Sequence, residues 1–84
     1  MKLEIFAVRD RQTDAFGTPM FMLTVGQATR SFITEVNRAE KDNQLYTHPD
    51  DFDLYRLGSF DTNTGKFDTK DPEQVAIGKN IAVR

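Results

Sequence analysis

The sequence predicts an α+β fold, a small and mainly antiparallel sheet in the chain order β-β-α-β-β with one principal helix packed on one face. Strand-like apolar runs open the chain, a stretch with apolar residues at every fourth position follows, and strand-like runs resume after it. The joints between these runs gather Asp, Asn, Thr, Gly and Pro, as hairpin turns require. At 84 residues the chain is expected to be one domain, residues 1–84, with a core limited by its surface-to-volume ratio.

The first strand is KLEIFAVR, residues 2–9, with Leu3, Ile5 and Ala7 on one side and Phe6 and Val8 on the other. DRQTDAFGTP reads as a loop and MFMLTV as a second, mostly apolar strand, joined to the first as a hairpin. Thr24 and Gln27 stand at capping-box spacing, and Ala28, Phe32 and Val36 form an every-fourth stripe with Ile33 beside them. Together they predict a helix from about Val25 to Ala39, with Arg30, Glu35 and Arg38 on its outer side. The stretch from Glu40 to Asp53 is polar and broken by Pro49, a long connection with a helical turn started by the acidic residues after His48. LYRLGSF then forms a third strand and KFDT a short fourth. The tail, PEQVAIGKNIAVR, suits either two short strands or a strand and an irregular segment.

Between the third and fourth strands lies FDTNTGKF, whose Asp61, Asn63 and Gly65 suggest a calcium loop at first sight. The twelve-residue loop needs glycine sixth and glutamate twelfth, yet counting from Asp61 these places hold Lys66 and Pro72. A hairpin turn opened by Asp61, with Gly65 supplying a positive φ, satisfies the same residues. DRQTDAF (10–16) and DTNTGKF (61–67) also share Asp, an amide, Thr and Phe at matching offsets. Two turns obeying one chemistry explain this echo; a duplicated ββα half is the other reading, and the tail supports it poorly.

Composition closes several function classes. There is no cysteine and one histidine, so thiolate chemistry, disulfides and a multi-histidine metal site within one chain are excluded. A net charge of -2 argues against coating nucleic acid by bulk charge, so any such contact must be local. The longest apolar run, Met20 to Leu23, cannot span a membrane, and MKLEIF lacks the apolar stretch of a signal peptide. His48, Asp50, Asp51 and Asp53 form the densest polar cluster. It could hold a divalent metal or serve acid-base chemistry, but a helix start with solvated carboxylates explains it more simply. Ser31 and Ser59 lack the context of a nucleophile, and no phosphate-cradling glycine loop is present. The expectation is a protein that is not an enzyme and needs no cofactor or metal.

Seven Phe and two Tyr invite another reading, because single-stranded nucleic acid is held by bases stacking on exposed aromatics beside Arg or Lys. Phe6, Tyr55, Phe60 and Phe67 lie on expected strands, close to Arg9, Arg11, Arg56 and Lys66. If Arg56 and Phe60 share one face of the third strand, that face is an aromatic and basic platform. The alternative is that the aromatics form the core, and residue types alone weigh toward it.

The chain also resembles a known family. The opening MKLEIFAVRDRQTDAFGTPMF, the middle GQATRSFITEVN and above all HPDDFDLYRLGSFDTNTGKF are similar to the small nonstructural protein of gokushoviruses, tailless single-stranded DNA phages of the Microviridae. The likeness covers residues 1–70. Its most specific part is the spacing of His48, Pro49, Phe52, Leu54, Leu57, Gly58, Phe60, Asp61, Thr64 and Gly65. A departure falls at Asp14, which stands where the family often has glycine. The resemblance implies a non-capsid phage protein in the host bacterial cytoplasm that binds DNA and supports the switch to single-stranded genome synthesis and packaging.

The expected function is therefore binding of single-stranded DNA through Arg9, Arg11, Arg56, Phe60 and Lys66. Phage or host replication proteins are further expected partners, and no membrane contact is. The rival is an adaptor that modulates a replication enzyme without touching DNA, favoured by the acidic loop from Asp50 to Asp53. A homodimer is expected from the small core and from an exposed strand edge.

Overall fold

The computed structural model describes all residues, Met1–Arg84. Its order is β1 (Lys2–Asp10), β2 (Ala15–Phe16), β3 (Met20–Met22), α1 (Val25–Val36), α2 (Gln44–Thr47), a 3-10 turn at Pro49–Asp51, β4 (Phe52–Asp61), β5 (Phe67–Ile77) and α3 (Gly78–Ile81). The fold is α+β, with one antiparallel sheet and one principal helix. In the sheet β1 and β4 are central, β5 flanks β4, and β2 and β3 share the outer side of β1.

Local chemistry accounts for the helix. Thr24 Oγ1 accepts from the Gln27 amide at 3.0 Å, while Gln27 Oε1 accepts from the Leu23 amide at 2.9 Å, so the capping residues satisfy two donors left free at the helix start. Ala28, Phe32 and Val36 are buried against Phe6 and Leu54, with Val8, Met20 and Met22 packed around them. Ile33 belongs to the outer side instead and is exposed. The helix stops at Val36, three residues before Ala39, because Asn43 Nδ2 donates to the carbonyls of Glu35 and Arg38 and satisfies its end from outside.

The second strand is shorter than MFMLTV, since Leu23 and Thr24 belong to the helix start, and the preceding loop contributes β2. After the tip turn, the strand expected at KFDT starts at Phe67, one residue later, and continues for 11 residues to Ile77. Its pairing with β4 is interrupted between Arg56 and Gly58, opposite Lys70, Asp71 and Pro72. Proline is tolerated there because β5 is an edge strand. The tail thus resolves into the end of β5 and the short α3. Pro72, Lys70 and Asp71 also break up the edge that was expected to need covering.

The turn at Asp61 has the expected chemistry. Asp61 Oδ1 accepts from the Asn63 amide at 2.9 Å, the Gly65 amide donates to the Asp61 carbonyl at 2.7 Å, and Gly65 has φ 74. The first turn repeats the device: Asp10 Oδ1 accepts from the Gln12 amide at 2.9 Å, and Asp14 has φ 55.

Candidate nucleic-acid interface

Side chains of directly paired residues in antiparallel strands project to the same face, so register decides what each face carries. Phe6 points to the helix, and Val8 and Leu54 share its face. So do Glu4, Met20, Met22 and Arg56. Leu3, Ile5, Ala7 and Arg9 project to the opposite, helix-free face, and Phe16, Phe21, Tyr55 and Phe60 join them as their partners. Phe67, paired with Phe60, follows.

That face gathers five aromatic rings from four strands. Phe16 meets Tyr55 edge-on with ring centroids 5.4 Å apart. Phe21 lies 5.9 Å from Phe60 and 6.4 Å from Phe67, and Phe60 and Phe67 are 4.7 Å apart. Each turn ends on one of these rings, Phe16 after the first and Phe67 after the second, two residues beyond the positive-φ position. Phe16, Phe21 and Phe67 are all exposed, Phe67 by 60%. Ile5 and Ala7 beneath them are buried. Of the strand carboxylates in register, Glu4, Asp10, Asp61, Asp68 and Glu73 project toward the helix side; Asp53 projects to the aromatic side but is buried.

Residues 3–81 match the family described as Phage ORF5 protein. The chain is a member of that family. It is therefore a phage protein. No curated protein and no solved structure matches it.

The nominated residues of this ORF5 protein do not all converge. Phe60 lies within the aromatic strip, and Arg9 stands at the end of it near Phe16, where it is ion-paired with Asp14. Lys66 sits in the tip turn beside Phe67 and makes no ion pair. Arg56 is on the wrong face for a shared platform with Phe60. Strand alternation puts positions 56 and 60 on one side, but Leu57 is an extra residue between the Arg56–Phe6 and Gly58–Ile5 pairs, and this bulge reverses the alternation. Arg56 consequently faces Glu4 at 2.9 Å, and the hydrogen bond to Glu4 holds its guanidinium charged beyond the usual arginine range. Phe6 is wholly buried and belongs to the core. Reading the aromatics one at a time missed Phe16 and Phe21; the repeated turn motif before Phe16 and Phe67 was the available signal.

Arg11 serves structure. Its Nε donates to Asp53 Oδ2 at 2.9 Å, while Asp53 Oδ1 accepts from the Gly78 amide at 3.4 Å, tying the first turn to the start of α3 through a buried carboxylate. Asp53 is thus separated in role from Asp51, which accepts from Gln12 Nε2 at 3.2 Å. No group of three or more His, Cys, Asp or Glu is arranged to hold a metal ion, and no helix is long and apolar enough to cross a membrane. Asp53→Ala is expected to lower stability by about 1–3 kcal/mol, because it strips two donors of their acceptor. A urea midpoint equal to that of the wild type would show that the staple contributes nothing.

Proposed function

We propose that this phage protein binds single-stranded DNA on the helix-free face of its sheet and, as the gokushovirus resemblance implies, supports the switch to single-stranded genome synthesis and packaging in the host cytoplasm. The observation that carries the reading is the five-ring strip of Phe16, Tyr55, Phe21, Phe60 and Phe67 on a face nearly free of carboxylates. Unpaired bases expose π faces that stack on such rings, whereas a duplex hides them. Binding, not catalysis, is the proposed role, and the proposed residues shift from the arginines toward the aromatics. Arg9, Arg11 and Arg56 are each held by a carboxylate, so a phosphate would have to compete for them.

The test is fluorescence anisotropy with labelled single-stranded and duplex DNA, comparing the wild type with a Phe16→Ala, Phe21→Ala, Phe67→Ala variant shown by circular dichroism to be folded. Preference for the single strand and a loss of at least about ten-fold in the variant are expected, given roughly 1–3 kcal/mol per stacked base. Equal affinity of variant and wild type would remove the strip from the reading.

The adaptor reading keeps one observation in its favour. Aromatic rings packed edge to face, with few free cations around them and a net charge of -2, also suit a protein partner such as a replication enzyme. Absence of DNA binding at tens of micromolar protein, where even non-specific binders register, would move the function there. A homodimer is proposed as well, since only 12 of 84 residues are buried. Light scattering at micromolar concentration is expected to give twice the chain mass, and a monomeric mass would remove the dimer.

A further inference from the structure

The sheet has a layer packed on only one of its faces. β1 is apolar on both sides, with Phe6 and Val8 toward α1 and Leu3, Ile5 and Ala7 away from it, the pattern of a strand that lies between two layers. α1 supplies one of them. On the other side the aromatic rings are outermost, and Phe16, Phe21 and Phe67 remain 42%, 46% and 60% exposed. Beside Phe67 lies a hollow of about 500 Å³, lined by Ile5, Pro19, Phe21 and Leu57 among others and by no charged side chain.

Charge and area decide what can cover such a face. The strand carboxylates Glu4, Asp10, Asp61, Asp68 and Glu73 project toward the helix side, Asp53 is buried, and Arg9 is ion-paired. Two helix-free faces brought together therefore bury no unpaired strand charge, and they hold the acidic sides of two chains, each of net charge -2, apart. A projecting ring and a hollow on one patch are also what packing against a second copy about a twofold axis requires. The nine residues of β1 span roughly 30 Å and four strands span about 19 Å, so stacking removes about 570 Å² per copy, or about 1,100 Å² in all, from water. Stable interfaces bury about 1,200–2,000 Å². The stacked pair falls just under that range, which describes an exchanging dimer and not a permanent one.

We propose that two copies of the chain stack helix-free face on helix-free face, and that this dimer and single-stranded DNA exclude one another. The stacking rests on the homodimer reading and gives it a surface; the exclusion rests in addition on the single-strand reading. In the stacked pair the two sheets lie about 10 Å apart with their rings interleaved, and the helices face outward. Dilution opens the pair by mass action, and so does excess single strand, which binds the open form alone. The strip is then covered by a second copy until a strand takes its place.

Phe67→Glu and Phe16→Glu each put a carboxylate at an exposed ring of the strip, one at each end, and Ile33→Glu puts one on the exposed outer side of α1 as the control. With folding checked by circular dichroism, light scattering across micromolar concentrations is expected to give twice the chain mass for the wild type and Ile33→Glu. Both strip variants are expected to give the mass of one chain. Excess oligo-dT of about six nucleotides is expected to convert the wild type to one chain with one strand. A doubled mass kept in both strip variants would overturn the stacking while leaving a dimer that forms elsewhere. A single-chain mass for the wild type would overturn the stacking and the dimer together, and leave the face to DNA or to a replication enzyme. Oligo-dT bound to a species that still holds two chains would overturn the exclusion and leave single-strand binding intact. Monomeric strip variants beside a wild-type dimer that binds no oligo-dT would support the stacking and remove the single-strand reading.

Discussion

Gly58→Ala is expected to destabilise the protein by about 3 kcal/mol or more and to lower its melting temperature by more than about 12 °C. Gly58 has φ 146, in the region that side chains avoid, and follows the Leu57 bulge where β4 crosses both neighbours out of step. A Cβ there would collide with the Asp68 carbonyl oxygen and lie 2.8 Å from Thr69 Cα, both backbone atoms that cannot rotate aside. For a chain whose total stability is of the order of 4–12 kcal/mol, this is a large fraction. The consequence reaches the proposed interface, because the bulge is what turns Phe60 toward Phe21 and Phe67. Chemical denaturation measures the loss, and a midpoint matching the wild type would mean that the bulge accommodates a side chain. DNA binding by Gly58→Ala under conditions where it remains folded should be weakened as well, since the register of Phe60 and Phe67 depends on the same turn of the backbone.

Phe6→Ala is expected to cost about 3–5 kcal/mol, enough to leave much of the population unfolded or molten at room temperature. Phe6 is fully buried in the cluster with Ala28, Phe32, Val36 and Leu54, and its removal leaves a ring-sized cavity in a core that relaxes only in part. Phe67→Ala provides the contrast. Phe67 is 60% exposed but its ring packs on Phe60 and Phe21, so its truncation should cost about 1 kcal/mol, well below the loss at Phe6, while lowering affinity for single-stranded DNA. Both are strand phenylalanines. Thermal melts of the two variants side by side separate the core ring from the surface ring, and equal melting temperatures would contradict the assignment of faces.

How much of this was legible beforehand follows the range of the interactions. The start of α1 was readable from Thr24 and Gln27, and its buried stripe from Ala28, Phe32 and Val36, because caps and every-fourth spacing act within a few residues. The tip turn was readable from Asp61 and Gly65 for the same reason. The end of α1 was not, since the donor that closes it comes from Asn43. The continuity of β5 through Pro72 was hidden because a proline looks like a stop until its strand is known to be an edge.

For the interface, the sequence by itself determined that aromatic residues lie on strands, that Phe16 and Phe67 follow equivalent turns, and that charge is too low for bulk attraction to nucleic acid. Only the tertiary structure decided which rings share a face and which cations are free. Alternation within β4 assigns Arg56 and Phe60 to one side, and one extra residue opposite β1 sends them to opposite sides. Arg11 and Arg56 are matched with carboxylates 42 and 52 positions away in the chain. Side-chain direction along a strand is a property of its pairing register, and register is set by partners that local sequence does not name.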